Sequence, residues 1–387
     1  MDFPLPVPAE LSAAVPKGSG VLLGVSGGVD SSVALALLKH MGCHVVAVTF
    51  KNFCTSDGSF GGDDASSCCS LEAIDSARRQ AARFDVKHWV GNVETPFRSH
   101  VIDPFIAEYR AGRTPNPCVG CNTWVRFPEL ARRADQLGLD YVGTGHYARV
   151  LHDEPGVRLL RGLDRTKDQS YFLHGVAPEI LTRSVFPLGW WTKDEVRRAA
   201  AELGLDSART PDSQEICFVP DDDRSFLFED QPSAPGDIVD RGGMVLGRHR
   251  GLEHYTVGQR RGLGVAAEAP LYVLELDTAS NTVIIGRRPE LRVDTVRCDD
   301  WRWTAPDIAP AEPPTAAADR LTAQLRHGHG GVQVASWRVQ GEFLDIDLAV
   351  DAEGVAPGQA LVLYRDDEVL GGGRIVAAHK QNSGEGS

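Results

Sequence analysis

Two sets of residues have the types and spacing that chemistry requires. The first is Ser26-Gly27-Gly28-Val29-Asp30-Ser31-Ser32, directly after the apolar run Val21-Leu22-Leu23-Gly24-Val25. An apolar run that ends in a Gly-rich turn and continues as a helical pattern makes a loop whose N–H groups converge on an anion at a helix N-terminus. The glycines let the backbone approach phosphate closely, and the serines add hydroxyl donors. Asp30 is a candidate partner for Mg²⁺, which would neutralise phosphate charge. The pattern GxxxxGK[ST] is absent from the chain, which excludes a P-loop NTPase of that kind. The second set is thiols. Asn116-Pro117-Cys118-Val119-Gly120-Cys121-Asn122 holds a CxxC, and Ser213-Gln214-Glu215-Ile216-Cys217-Phe218 supplies a third thiol far along the chain. A CxxC lowers one thiol's pKa from about 8.5, which favours nucleophilic sulfur chemistry. The same spacing is half of a Cys₄ zinc site, but a second CxxC is missing, so zinc would need Cys217 and another distant ligand. Three thiolates are also enough to hold an iron–sulfur cluster with one open iron. Cys68-Cys69 reads as buried packing before a helix, and Cys43, Cys54 and Cys298 offer no chemistry.

These residues need elements to position them. Residues 20 to about 150 alternate strand-like and helix-like segments. Val45–Phe50 is a continuous apolar run suited to a buried parallel strand, and Lys87–Val90 and Tyr141–Thr144 read as further strands. Ser70 can cap a helix whose apolar positions Leu71, Ile74, Ala77, Ala81 and Phe84 recur at helical spacing. This order implies an α/β fold with a doubly wound parallel sheet and ligands at the carboxyl ends of its strands. His146, in Thr144-Gly145-His146-Tyr147, would then lie on the same edge as the Gly-rich loop. Lys167-Asp168-Gln169-Ser170-Tyr171-Phe172 mixes charge, amides and aromatics in a way suited to stacking and phosphate contact. Thr192–Glu195 is a capping box opening a helix that Gly204 closes.

Past Gly236 the texture changes to short strands, Gly236–Val239 and Met244–Gly247, around a Gly242-Gly243 turn. Beyond residue 293 the pattern is all β, with Val332–Trp337, Phe343–Leu348 and Leu361–Tyr364 as strands of a small barrel. The expected domains are 1–222, catalytic; 223–292, a small adaptor; and 293–380, the barrel, with a disordered tail over 381–387. Residues 304–318, rich in Pro and Ala, read as an inserted loop.

Composition limits the partners. The net charge of −13 argues against generic nucleic-acid binding, so any nucleic acid must be held by a local basic surface. Arg248 through Arg261, with four arginines and Glu253 as its acid, is one candidate. No run of 18 apolar residues exists, which argues against a membrane span. Met1-Asp2-Phe3-Pro4 lacks the features of a signal peptide. Eight cysteines in 387 residues, without a dense framework, fit a reducing cytoplasm.

SGGVDSS resembles the PP-loop of ATP pyrophosphatases, which grip pyrophosphate and activate a substrate oxygen by adenylation. Taken in order, a longer set of segments resembles the tRNA-specific 2-thiouridylases, which thiolate the wobble uridine of certain tRNAs. These are SGGVDSS at 26–32, CCSLEAIDSARR at 68–79, RTPNPCVGCN at 113–122, YVGTGHYAR at 141–149, RGLDRTKDQSYFL at 161–173 and DSQEICF at 212–218. GLEHYTVGQRRGLG at 251–264, PLYV at 270–273, and APGQALVLY through LGGG at 356–373 complete it. The resemblance implies an adenylating α/β domain, a small adaptor and a C-terminal β-barrel. It implies that Gly24, Val25, Ser26, Gly27, Gly28, Val29, Asp30, Ser31, Phe50 and Gly145 contact ATP. Asn116, Pro117 and Cys118 would lie against the target base. His146, Lys167, Asp168 and Gln169, with Arg326, His327 and Gln359 of the barrel, would touch tRNA. Several family members carry Asp where this chain has Cys118, which puts a general-base role there in doubt.

The chemistry so implied is adenylation of the uridine C2 oxygen, with Mg²⁺ on the phosphates. Sulfur then comes from a persulfide on Cys217, and Cys121 closes a transient Cys121–Cys217 disulfide. The variant route holds an iron–sulfur cluster on Cys118, Cys121 and Cys217. The implied partners are the anticodon stem-loops of Lys, Glu and Gln tRNAs and a sulfur-donor protein, either a cysteine desulfurase or a relay protein. Two rivals remain from the residues alone: a PP-loop synthetase acting on a small molecule, and a non-catalytic RNA-binding protein.

Overall fold

The computed structural model describes residues 3–52, 71–153, 156–209, 216–219, 224–229, 234–304 and 320–380. Cys54, Cys68, Cys69, Ser70, the loop 305–318 and the tail 381–387 lie outside the described residues. The first strands are β1 (Gly20–Gly24), β2 (His44–Lys51), β3 (Lys87–Asn92) and β4 (Tyr141–Thr144). They are followed by a hairpin of β5 (Ala148–Asp153) and β6 (Gly156–Arg161), then β7 (Ser184–Val185). Five of them form a parallel sheet in the order β3-β2-β1-β4-β7. Side chains alternate across a strand, and here both faces are buried. Val21, Leu23, Val45 and Ala47 pack against helices Val29–His40 and Lys193–Glu202, while Leu22, Val46 and Val48 pack against Phe127, Leu130 and Ala134 of helix Phe127–Leu137. That two-sided burial is why β1 and β2 read as continuous apolar runs. Helix Leu71–Arg83 lays Ala77 and Ala81 on the first face.

The helix Lys193–Glu202 opens on the expected capping box, with Thr192 Oγ1 accepting the Glu195 N–H at 3.3 Å and Glu195 accepting the Thr192 N–H at 2.8 Å. Gly204, at φ 62°, ends it. The adaptor sheet runs β10-β11-β8-β9, built from β8 (Gly236–Val239), β9 (Val245–His249), β10 (Tyr272–Asp277) and β11 (Thr282–Gly286). Arg248, Arg250, Arg260 and Arg261 are all exposed, whereas His249 and Glu253 turn inward, so the basic stretch presents its charge to solvent.

The C-terminal strands are β12 (Arg292–Trp303), β13 (Leu321–Gln324), β14 (Val332–Gln340), β15 (Phe343–Glu353), β16 (Ala360–Arg365) and β17 (Glu368–His379). They run β12-β15-β14-β13-β16-β17, and β12 pairs with β17, which closes a six-stranded antiparallel barrel. Closure leaves no bare edge. Cys298 is a fully buried core thiol, and burial pushes its pKa up, as it does that of Cys43. The hairpin β5–β6 leaves the parallel sheet and continues the barrel, with Glu368 opposite Leu160 and the Arg161 N–H donating to the Asp367 carbonyl at 2.8 Å. Among the described residues no helix is long and apolar enough to cross a membrane.

Candidate active site

The Gly-rich loop leaves the carboxyl end of β1. Gly27 takes φ 78°, and a Cβ there would lie 2.4 Å from the Ala73 carbonyl oxygen, so the turn accepts only glycine. The Ser76 hydroxyl donates to the Gly27 carbonyl at 2.9 Å, tying the loop to helix Leu71–Arg83. Helix Val29–His40 starts at Gly28, and no side chain among the described residues caps it. The Ser31 and Ser32 hydroxyls both donate to the Gly28 carbonyl, at 3.1 and 2.9 Å, and the Ser26 N–H donates to Ser31 Oγ at 3.2 Å. The hydroxyls therefore shape the loop, and the helix N-terminus faces outward as an anion cradle. Gly145, just past β4, lies against that helix start: a Cβ on it would be 3.0 Å from the Ser31 nitrogen. Phe50 sits near the end of β2, with the Arg133 guanidinium 5.6 Å from its ring. One sheet edge thus carries Gly24 to Ser31, Phe50 and Gly145.

His146 lies on the same edge. Its Nδ1 is 2.6 Å from Thr144 Oγ1, and its ring meets Phe127 and Phe186 at about 6 Å. Burial pushes its pKa down to about 3, with Arg126 adding to the effect, so the imidazole is neutral at physiological pH. Asp30 is held by two residues that spacing did not flag. Lys193 Nζ lies 2.7 Å from both carboxylate oxygens, and the Tyr147 hydroxyl donates to Oδ1 at 2.9 Å. Lys193 is buried in the first turn of its helix, where a cation opposes the helix dipole. That mismatch was the available signal.

The thiols sit on the next element. Asn116 accepts the Cys118 N–H at 3.1 Å and starts a short helical turn, Pro117–Gly120, in which Pro117 is buried. The chain then widens into a π-helical stretch, Cys121–Arg126, before helix Phe127–Leu137; such widenings often mark functional sites. Cys121 is buried in a cluster with Phe97, Phe105, Phe218 and Val219, while Cys118 is half-buried. Phe218 meets Phe97 and Phe105 edge-on at 5.6 and 5.4 Å, which anchors the segment 216–219 and packs its half-buried Cys217 against that same cluster. Phe50, near the end of β2 on the sheet edge that carries the Gly-rich loop, packs against this cluster too.

The remaining candidates line the junction with the barrel. Asp168 is buried and engaged: it accepts from Arg161 at 2.9 Å, from the Gly162 and Ser170 N–H groups at 3.0 and 3.1 Å, and from the Ser170 hydroxyl at 3.0 Å. Gln169 accepts the Tyr147 N–H at 3.0 Å. These two side chains hold the loop that offers half-buried Lys167. The exposed ring of His327 lies 4.3 Å from that of Phe172. Gln359 donates to the Thr114 carbonyl at 2.7 Å, and with exposed Arg326 it lines a cavity of about 210 Å³ where the three parts of the chain meet.

Comparison with known proteins agrees with this arrangement. Residues 19–221 match the family described as tRNA methyl transferase HUP domain, residues 224–287 its PRC-barrel domain, and residues 293–375 the aminomethyltransferase β-barrel domain. The tRNA-specific 2-thiouridylase MnmA of Geobacter metallireducens is 45% identical over 363 residues, 92% of this chain and 97% of that protein. Those of Heliobacterium modesticaldum and Lachnoclostridium phytofermentans are 44% and 40% identical, again over 92% of this chain, and over 92% and 99% of their own. The chain belongs to the tRNA-specific 2-thiouridylases. Solved structures match more distantly: an NMN synthetase from Francisella tularensis covers 52% of this chain and 71% of its own at 15% identity, with a TM-score of 0.31.

For a 2-thiouridylase with this CxxC, the metal question turns on ligand geometry. Among the described residues no three His, Cys, Asp or Glu side chains gather closely enough to hold a metal ion. Cys118, Cys121 and Cys217 are all described, so the three thiols do not fit a cluster or a zinc ion as they stand. Both carboxylate oxygens of Asp30 lie 2.7 Å from Lys193 Nζ.

Proposed function

We propose that this 2-thiouridylase replaces the C2 oxygen of a tRNA wobble uridine with sulfur, using ATP to activate the oxygen and a persulfide to deliver the sulfur. The observation that carries the sulfur route is the packing of Cys217 and Cys121 with one aromatic cluster, against which Phe50 also packs from the end of β2. The C2 oxygen attacks the α-phosphate of ATP, and pyrophosphate leaves into the cradle formed by Gly27, Gly28 and the start of helix Val29–His40. Mg²⁺ enters with the ATP phosphates. Lys193, drawn to Asp30, places a buried cation beside the loop, where pyrophosphate charge develops.

The sulfur step balances without a metal. The terminal sulfur of a Cys217 persulfide attacks C2 and AMP departs with the former C2 oxygen. The Cys121 thiolate then attacks the Cys217 sulfur, the S–S bond to the transferred sulfur breaks, and its electron pair forms the C2=S bond. A Cys121–Cys217 disulfide remains, which a cellular dithiol reduces while becoming oxidised itself. The persulfide is supplied by a donor protein, a cysteine desulfurase or a relay. The wobble base is already single-stranded, so turning it out costs only a few kcal/mol. Asn116 to Cys118 would lie against that base, and Lys167, His327, Arg326 and Gln359 would hold the RNA. A reducing cytoplasm suits both the thiol cycle and the substrate.

The test is mass analysis of nucleosides from tRNA incubated with enzyme, ATP, Mg²⁺ and a sulfur source, omitting one component at a time. 2-Thiouridine should appear only in the full mixture. Cys217→Ser should abolish it while adenylated tRNA accumulates; normal thiolation by that variant would refute the persulfide assignment.

A further inference from the structure

Trp124 is out of place for a core residue. It lies in the π-helical stretch that begins with Cys121, yet it is 47% exposed. Leaving so much aromatic surface in water forgoes the burial that usually justifies a tryptophan. Its surroundings are planar and cationic. Arg302, exposed on β12 of the barrel, holds its guanidinium 4.4 Å from the indole centroid. His100, also exposed, lies near-parallel to the ring, at 27° and 6.3 Å. The barrel and the α/β part therefore both contribute to one open stack.

A second planar pair contacts the same helical stretch. The rings of Phe172 and His327 lie 4.3 Å apart, tilted by 36°, and the Phe172 carbonyl accepts from Asn122 Nδ2 at 3.2 Å. Asn122 directly follows Cys121. Two planar groups thus contact the thiol-bearing stretch, one at Trp124 and one through Asn122. Spaced rings with an adjacent cation are how proteins hold unstacked nucleotides, the ring taking a base and the guanidinium a neighbouring phosphate. On a chain of net charge −13, an exposed arginine set against an exposed indole complements an anionic, aromatic partner.

We infer that Trp124, with Arg302 and His100, is a stacking platform for one nucleotide of the single-stranded loop beside the target uridine. This rests on the tRNA reading above and adds a binding site to it. The occupant is a base with its phosphate, independent of which base it is, because every base offers a π face.

The experiment measures the affinity of the full chain for an anticodon stem-loop RNA, with the loop nucleotides next to the target uridine replaced one at a time by abasic residues. Wild-type enzyme is first checked for 2-thiouridine formation on the same RNA, so failure of the functional reading shows itself separately. Trp124→Ala should weaken RNA binding about fivefold or more, and Trp124→Phe, which keeps a ring, should restore most of it. One abasic position should weaken wild type but not Trp124→Ala, because its partner is already gone. Arg302→Gln should shallow the dependence of log affinity on log salt by about one. Unchanged affinity in Trp124→Ala, with thiolation intact in wild type, overturns the proposal. So does a Trp124→Ala enzyme that binds RNA normally but no longer accepts sulfur from a persulfidated donor protein, since the surface would then belong to that partner.

Discussion

The phosphate edge and the barrel seam are built in opposite ways. At the phosphate edge, most of the site comes from one stretch, Gly24 to Ser31, at the end of a strand buried on both faces. At the seam, each contact joins residues far apart in sequence: Gln359 with Thr114, His327 with Phe172, and Arg302 with Trp124. Local backbone geometry fixes the first. Packing between domains fixes the second. On the proposed mechanism, activation of the oxygen would depend on a rigid turn, whereas RNA placement would depend on how the barrel meets the α/β part.

Lys193 is the exception that can break this contrast, since it reaches the phosphate edge from a distant helix. Lys193→Ala leaves Asp30 without its buried cation and should lower kcat/KM for thiolation on the order of a hundredfold, while RNA affinity stays as in wild type. Steady-state kinetics beside an RNA binding isotherm would check it, and equal losses in both would merge the two regions. Gly372 probes the seam. A Cβ there would lie 2.4 Å from the His174 ring, so Gly372→Ala should cost about 1–3 kcal/mol in urea unfolding and weaken RNA binding, with ATP affinity unchanged.

His174 sharpens the contrast through pH. Burial pushes its pKa down to about 4, whereas an unfolded histidine titrates near 6.5. The folded state then binds fewer protons than the unfolded one between these values, so stability falls as pH drops from about 6.5 towards about 4. His174→Gln should flatten that part of the urea midpoint against pH, the smallest of the three effects.

How far the sequence carried follows the same division. The turn at Gly27, the continuous apolar runs of β1 and β2, and the capping box at Thr192 are short-range features, and each shows in its own residues. The strands Val332–Trp337 and Phe343–Leu348 and the small barrel they build were legible from alternation and turn residues, but the pair that closes it was not, because β12 and β17 meet only in three dimensions. The hairpin β5–β6 follows Tyr147 directly in the chain yet extends the barrel, which no local pattern announces. Asp168 and Gln169 read as groups suited to RNA contact; that their side chains also brace the loop shows only in the placement of Arg161 and Tyr147. Trp124 gave no periodic signal at all, since a π-helical stretch breaks the spacing that marks a helix face.

The measurement closest to the central claim is a single turnover with persulfide-loaded enzyme, tRNA and ATP, without reductant. Remaining thiols are alkylated and the peptides identified by mass spectrometry. One Cys121–Cys217 disulfide should form for each 2-thiouridine made. Full yield of 2-thiouridine with both residues recovered as alkylated thiols would contradict the account.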